Sequence, residues 1–227
     1  MRKGNFFASK LNKRSQGTRN FWKLLEEKNS LLKETAYLRE EVAGLKEASI
    51  ENERLRNLLL FKKKSPGKMI LARVIAKDST NWHKTVVIDK GTDQGIKKDM
   101  PVVTPGGLVG KVIQTNNEVG QVMLIIDPNL KVSGLIQRTR EEGIIEGVPS
   151  GLCKMRYLSL DTDLKVKDVV ISSGLGGVYP KGLVIGRVKS AGKDISGLYS
   201  YALVEPMVDF SRLEEVLCLE LKKSPLF

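Results

Sequence analysis

Leucines recur every seven residues through the first third of the chain: Leu24, Leu31, Leu38 and Leu45, with Asn52 in the next place and Leu59 in the one after. Seven residues fall just short of two turns of a straight helix. A strip with this period therefore stays on one face only if helices wind around each other to the left. Setting the leucines at d puts Phe21, Lys28, Thr35, Val42, Ser49 and Arg56 at a. Glu34 and Glu41 then fall at g, and Arg39 and Lys46 at the e positions five residues on, where they meet across the seam of a parallel pair. The pattern predicts a parallel coiled-coil homodimer over residues 21–61, a rod of about 60 Å. Leu24, Leu31, Leu38, Val42, Leu45, Asn52 and Leu59 form its seam, and Ser65-Pro66-Gly67 stops the helix.

After Lys68 the texture changes to short β-branched runs. They are Met69–Ala76, Thr85–Ile88, Val102-Val103, Val109–Ile113, Val122–Ile126, Val132–Ile136 and Ile144-Ile145, then Lys154–Leu160, Val169–Ser172, Val184–Val188, Tyr201–Val204 and Val216–Leu221. Turn signals separate them, among them Lys90-Gly91, Gln94-Gly95, Pro105-Gly106-Gly107 and Asp127-Pro128-Asn129. No helical pattern intervenes to suggest a parallel sheet, and about 155 residues of this kind suit two small six-stranded β-barrels better than one. The fold class is mainly β with an N-terminal helix. The expected division is a basic disordered arm over 1–20, the coiled coil over 21–61, a basic hinge over 62–68, a first barrel region over 69–148 and a second over 149–223. A return of the last run to the first barrel stays open.

Charge and cysteines narrow the class. The formal charge of +12 is uneven: from Met1 to Leu25 there are seven Lys or Arg and no acid, and Lys62-Lys63-Lys64 with Lys68 forms a second cluster. Such patches favour anionic partners, a membrane surface or nucleic acid. The bases show no interleaved aromatics and no nucleic-acid module, so no nucleic acid is expected. Cys153 and Cys218 have no metal or disulfide spacing and read as buried free thiols. One histidine with two distant cysteines makes no zinc site, and no phosphate-binding Gly-rich loop leads into a helix. No cofactor is expected.

"SSGLGGVYPKG" at 172–182 raises the question of catalysis. His83, Asp127 and Ser173 follow the chain order of chymotrypsin-like triads, which makes a two-barrel hydrolase the alternative reading. Order is its only support. His83 lies in the polar stretch TNWHKT, Asp127 precedes Pro128 as a turn-starting Asp does, and Ser172 and Ser173 leave a strand. The turn reading uses every residue: Gly174, Gly176 and Gly177 permit positive φ, Pro180 withholds a donor, and Lys181-Gly182 closes the loop. The expectation is a shaped surface and no enzyme.

Several stretches carry a resemblance: ENERLRNLL (51–59), VVIDKGTDQGIKKDMPVVTPGGLVGKV (86–112), VMLIIDPNLKV (122–132), REEGIIEG (140–147), KDVVISSGLGGVYPKGLVIGRV (167–188) and DFSRLEEVLCL (209–219), with Trp82 following Asp78. Over residues 21–221 the chain resembles the MreC family of bacterial rod-shape-determining proteins. The resemblance implies a non-enzymatic scaffold of cell-wall elongation, dimeric through its coiled coil, with two small barrels on the extracytoplasmic, periplasmic face of the cell membrane. It implies binding to an elongation-class penicillin-binding protein and links to MreD, RodA and MreB. Its motif turns fall on Gly91, Gly95, Gly107, Gly110, Asp127, Gly174, Gly176, Gly177, Pro180, Gly182 and Gly186. Two departures stand out. Lys167 occupies a place where the family pattern leads one to expect glycine. The family's single spanning helix is also missing before the coiled coil, where the basic arm runs directly into Phe21-Trp22 like the positive flank and interfacial end of a deleted span.

Overall fold

The structure, a computed structural model of the chain, describes residues 4–64, 68–78, 84–194 and 197–220. It divides into a helical unit, residues 1–56, and a β body, residues 57–227. Helix α1 runs without a break from Gly4 to Lys64. The disordered arm expected over 1–20 is therefore corrected: from Gly4 on it is helix. No proline occurs before Pro66 and only Gly4, Gly17 and Gly44 interrupt the segment. The lysines, arginines, Gln16 and Leu11 that make the arm polar and basic are also good helix formers. Of the expected hinge, residues 62–64 continue the helix and Lys68 already opens a strand; residues 65–67 lie outside the described ones. Among the described residues, no helix is long and apolar enough to cross a membrane.

All twelve expected strands are present: β1 Lys68–Lys77, β2 Thr85–Ile88, β3 Pro101–Thr104, β4 Gly107–Thr115, β5 Gly120–Leu124, β6 Val132–Ile136, β7 Glu142–Gly147, β8 Cys153–Leu158, β9 Val169–Ser172, β10 Val184–Lys193, β11 Ser200–Pro206 and β12 Glu215–Glu220. They close into two six-stranded barrels, in the orders β1-β12-β3-β4-β5-β2 and β10-β11-β8-β7-β6-β9. Closure removes the exposed strand edges that would otherwise template aggregation.

The expected barrel boundary is corrected. β6 and β7 belong to the second barrel, as their ladders to β9 (Gly134↔Ser172) and β8 (Ile145↔Met155) show. β12 returns to the first barrel, pairing Leu217 with both Leu71 and Val103. The second barrel is thus inserted between β5 and β12, and the chain crosses over at Asp127-Pro128-Asn129. Hydrophobic pattern marks a strand but does not say which ladder it joins.

Each barrel is filled from its inward-facing positions. Val86, Ile88, Val102, Leu108, Val112, Val122 and Leu217 are fully or almost fully buried on strands of the first; Ile136, Ile145, Met155, Leu158, Ile185 and Val204 are so on strands of the second. Each such side chain contributes about 1.5–3 kcal/mol of transfer free energy. The body also takes in the last residues of α1: Leu58 is buried, whereas its neighbour Leu59, at d, stays exposed.

Candidate functional site

The Gly-rich loop after β9 is built around one hydroxyl. Ser172 Oγ donates to the carbonyl of Pro180 at 2.6 Å and accepts from the N–H of Leu183 at 2.9 Å, while Gly182 N–H donates to the carbonyl of Ser172. The base of the loop is pinched shut. Ser173 Oγ accepts from the N–H of Leu175 at 3.2 Å, and its own N–H donates to the carbonyl of Ser133 on β6. Between these ties Gly174, Gly176, Gly177 and Gly182 all have φ between +68° and +95°, the left-handed region the turn reading required of them. The loop also seats Tyr179, whose ring is buried; burial raises its phenol pKa, and the carboxylate of Asp99 on the first barrel adds to the effect. Asp99 Oδ1 in turn accepts from Lys111 Nζ at 2.7 Å.

The two barrels meet at Gly107. It has φ +142°, and a Cβ there would lie 2.4 Å from the carbonyl oxygen of Val184 on β10, so the hairpin of β3 and β4 approaches the second barrel more closely than any side chain permits. Of the other motif glycines, Gly95 caps the short turn Thr92–Gln94 with positive φ, and Gly91, Gly110 and Gly186 lie against backbone carbonyls of Asn116, Met123 and Glu205.

Asp127 is wholly buried. Oδ2 accepts from the N–H of Lys84 at 2.7 Å and Oδ1 from the N–H of Asn129 at 2.8 Å, so the carboxylate ties the crossover turn to the entry of β2. A carboxyl group buried this deeply is tolerated because backbone donors satisfy its oxygens. Asp127 and Ser173 are each engaged in a turn of their own, and His83, with Trp82, lies outside the described residues. Among the described residues, nothing adds to chain order as support for the hydrolase reading. Cys153 and Cys218 are buried, one in each barrel, and burial pushes both thiols up to about 12.

On α1, the expected seam faces outward in the single chain. Leu31, Leu38, Val42, Leu45 and Leu59 are between 48% and 66% exposed. Asn52 is exposed too, and Leu24 lies on the helix beyond the described side chains.

Two arrangements escaped the sequence reading. Arg138 grips Asp168 with both ends of its fork, Nε to Oδ1 at 2.9 Å and Nη2 to Oδ2 at 2.8 Å, and reaches Asp163 Oδ2 with Nη1 at 2.9 Å. The guanidinium holds the Asp168 carboxyl below the usual carboxylate range. Tyr157 and Tyr199 meet edge to face on the surface of the second barrel. Both depend on contacts between residues far apart in the chain, and nothing in their local sequence signals them.

The family described as "Rod shape-determining protein MreC, barrel core" matches residues 74–220. The cell shape-determining protein MreC of Listeria monocytogenes is 36% identical over 195 residues, covering 83% of this chain and 65% of the relative. The chain thus spans about two thirds of that relative's length. A solved MreC structure from Listeria monocytogenes aligns with TM-score 0.64 and 35% identity over 83% of this chain and 91% of that one. A complex between the penicillin-binding protein PBP2 and MreC from Helicobacter pylori aligns with TM-score 0.53 at 15% identity, over 68% of this chain and all of that one, a likeness of fold. The closed pair of barrels and the matched core together place this chain in the MreC family of cell shape-determining proteins.

Proposed function

We propose that the chain is a non-enzymatic scaffold of cell-wall elongation, dimeric through α1, that presents its double barrel on the extracytoplasmic face of the cell membrane to an elongation-class penicillin-binding protein. The observation that carries this reading is the inserted double barrel of the MreC family, a fold shared with an MreC in complex with PBP2. In the same reading MreD, RodA and MreB are the further members of the assembly. The exposed apolar row on α1 supports self-association, and the basic residues at its start suit an anionic membrane surface. The Ser173 hydroxyl and the Asp127 carboxylate of the alternative hydrolase each take part in a turn, which favours a binding role for the barrels.

The test is chemical cross-linking of the full chain in membranes of the source cell, followed by identification of the partners. An elongation-class penicillin-binding protein is expected among them, with cross-links on the barrels. Cross-links confined to other membrane proteins, with that class absent, would remove the proposal.

A further inference from the structure

One end of the second barrel carries tyrosines that neither the packing of the barrel nor its joint with the first employs. β8 contains a bulge. Ser200 pairs with Leu158, but Ala202 pairs with Met155, so Arg156 and Tyr157 together oppose Tyr201. Tyr157 takes the extra position at φ 64°, a backbone conformation that glycine accepts and a bulky aromatic avoids. The ring is not buried in return. Tyr157 is 59% exposed and Tyr199 44%, and the two meet edge to face with centroids 5.6 Å apart and planes at 82°. Strained backbone that turns an aromatic ring out to water calls for a use on the outside.

Tyr201 plays a different part. Gly192 leaves room for its ring, since a Cβ there would stand 2.8 Å from it, and Lys154 Nζ sits 3.9 Å over its centroid. It is a fixed wall beside two exposed rings. Arg156, held by an ion pair with Glu146, lines the same shallow corner together with Asp194 and Ser200. The cavity there is about 20 Å³, space for one water, so a ligand would lie across the corner and not inside it.

These features match one ligand chemistry. A pyranose ring with equatorial substituents presents a flat face of axial C–H groups, which stacks on an aromatic ring, and a rim of hydroxyls that both donate and accept. Two exposed rings at right angles, bordered by a guanidinium and a carboxylate, supply both halves. A peptide strand would need an open sheet edge, which the closed barrel lacks, and a helix would need a groove. We infer that the Tyr157–Tyr199 corner binds an oligosaccharide of pyranoses with equatorial substituents, with the two rings as the stacking platform and Arg156 and Asp194 as the hydrogen-bonding rim. The inference stands apart from the scaffold reading, since it needs neither the dimer nor the penicillin-binding protein.

The test is saturation-transfer NMR on the full chain with cellohexaose and with chitohexaose. At least one of them should show transfer concentrated on its axial ring protons. Tyr157→Gly should weaken that signal by about tenfold, as removal of an aromatic anchor does. The same variant should melt no lower than the wild type, because glycine relieves the left-handed backbone. Tyr199→Ala, in ordinary strand-entry backbone, is the second variant and should lose the signal equally. No transfer from either sugar, or transfer that both variants retain, overturns the proposal. So does loss of penicillin-binding-protein association in these variants with no sugar contact in the wild type, which would make the corner a protein-docking face.

Discussion

The turn that leads into β9 holds Lys167 at φ 75°, the position before Asp168 where the family pattern led us to expect glycine. Its backbone is firmly placed: Lys167 N–H donates to the carbonyl of Val188 at 2.7 Å, and Val188 N–H donates to that of Asp168 at 2.9 Å. The turn therefore cannot relax toward negative φ without breaking the bridge to β10. A residue with a Cβ costs about 1–2 kcal/mol in this region. Glycine removes that strain, but its freer unfolded chain returns about 0.5–1 kcal/mol of it. Lys167→Gly should thus stabilise the β body by about 0.5–1 kcal/mol, which for a body of this size raises the melting temperature by about 1–4 °C. Thermal unfolding followed by the strand signal in circular dichroism measures it. Lys167→Ala is the control, because it removes the charge and the long side chain and keeps the Cβ. If alanine stabilised as much as glycine, the gain would come from relieving charge repulsion and the backbone reasoning would be refuted. A glycine variant that melts below the wild type would refute it as well.

Changing Leu31 and Leu38 together to asparagine should give monomers with intact barrels, since each leucine buried in a dimer seam contributes on the order of 2 kcal/mol; sedimentation velocity beside circular dichroism checks it, and a variant that stays dimeric places the interface elsewhere. Arg138→Ala should lower the melting temperature at pH 7. Because the folded pKa of Asp168 is depressed by Arg138, the stabilisation is present above the ordinary carboxylate pKa of about 4 and lost as pH falls through the lower folded value. The gap between wild type and variant should therefore close below about pH 4, and a gap that persists at pH 2 would mean that packing and not charge is lost. Gly107→Ala should destabilise the joint of the barrels by about 1–3 kcal/mol through backbone strain alone, more if the 2.4 Å approach to Val184 cannot open; chemical denaturation reads it. Cys153 and Cys218 should resist iodoacetamide in the native protein at pH 8 and react on unfolding, as their thiols are buried and ionise only near 12.

What could be read from the chain, and what could not, follows from the range of the interactions involved. The strands were legible because β-branched runs and Gly or Pro turns are local, and Thr85–Ile88, Val132–Ile136 and Val169–Ser172 begin and end where the pattern puts them. The helix stop was legible because Pro66 acts on its own neighbours. The helix start was not: the arm's basic residues are as compatible with helix as with solvated coil, and charge alone does not choose between them. The barrel boundary failed for a related reason. β6 and β7 look like their predecessors in sequence, and only the ladders Gly134↔Ser172 and Ile145↔Met155 assign them to the second barrel.

The motif glycines show how far a local signal reaches. Gly174 and Gly182 could be assigned to a turn from sequence because positive φ is a property of the residue itself. That Gly107 lies against Val184, more than 70 residues on, could not, because the demand on it comes from another barrel. The same holds for Tyr157, which stands in a left-handed bulge with no glycine to announce it, and for Arg138, whose two aspartates lie 25 and 30 residues away. In this protein the elements are written locally, whereas the joint between the barrels and the exposed aromatic corner exist only once those elements are closed. A surface built this way can change its ligand by altering a few outward residues such as Tyr157 and Tyr199, while the ladders that hold both barrels stay as they are.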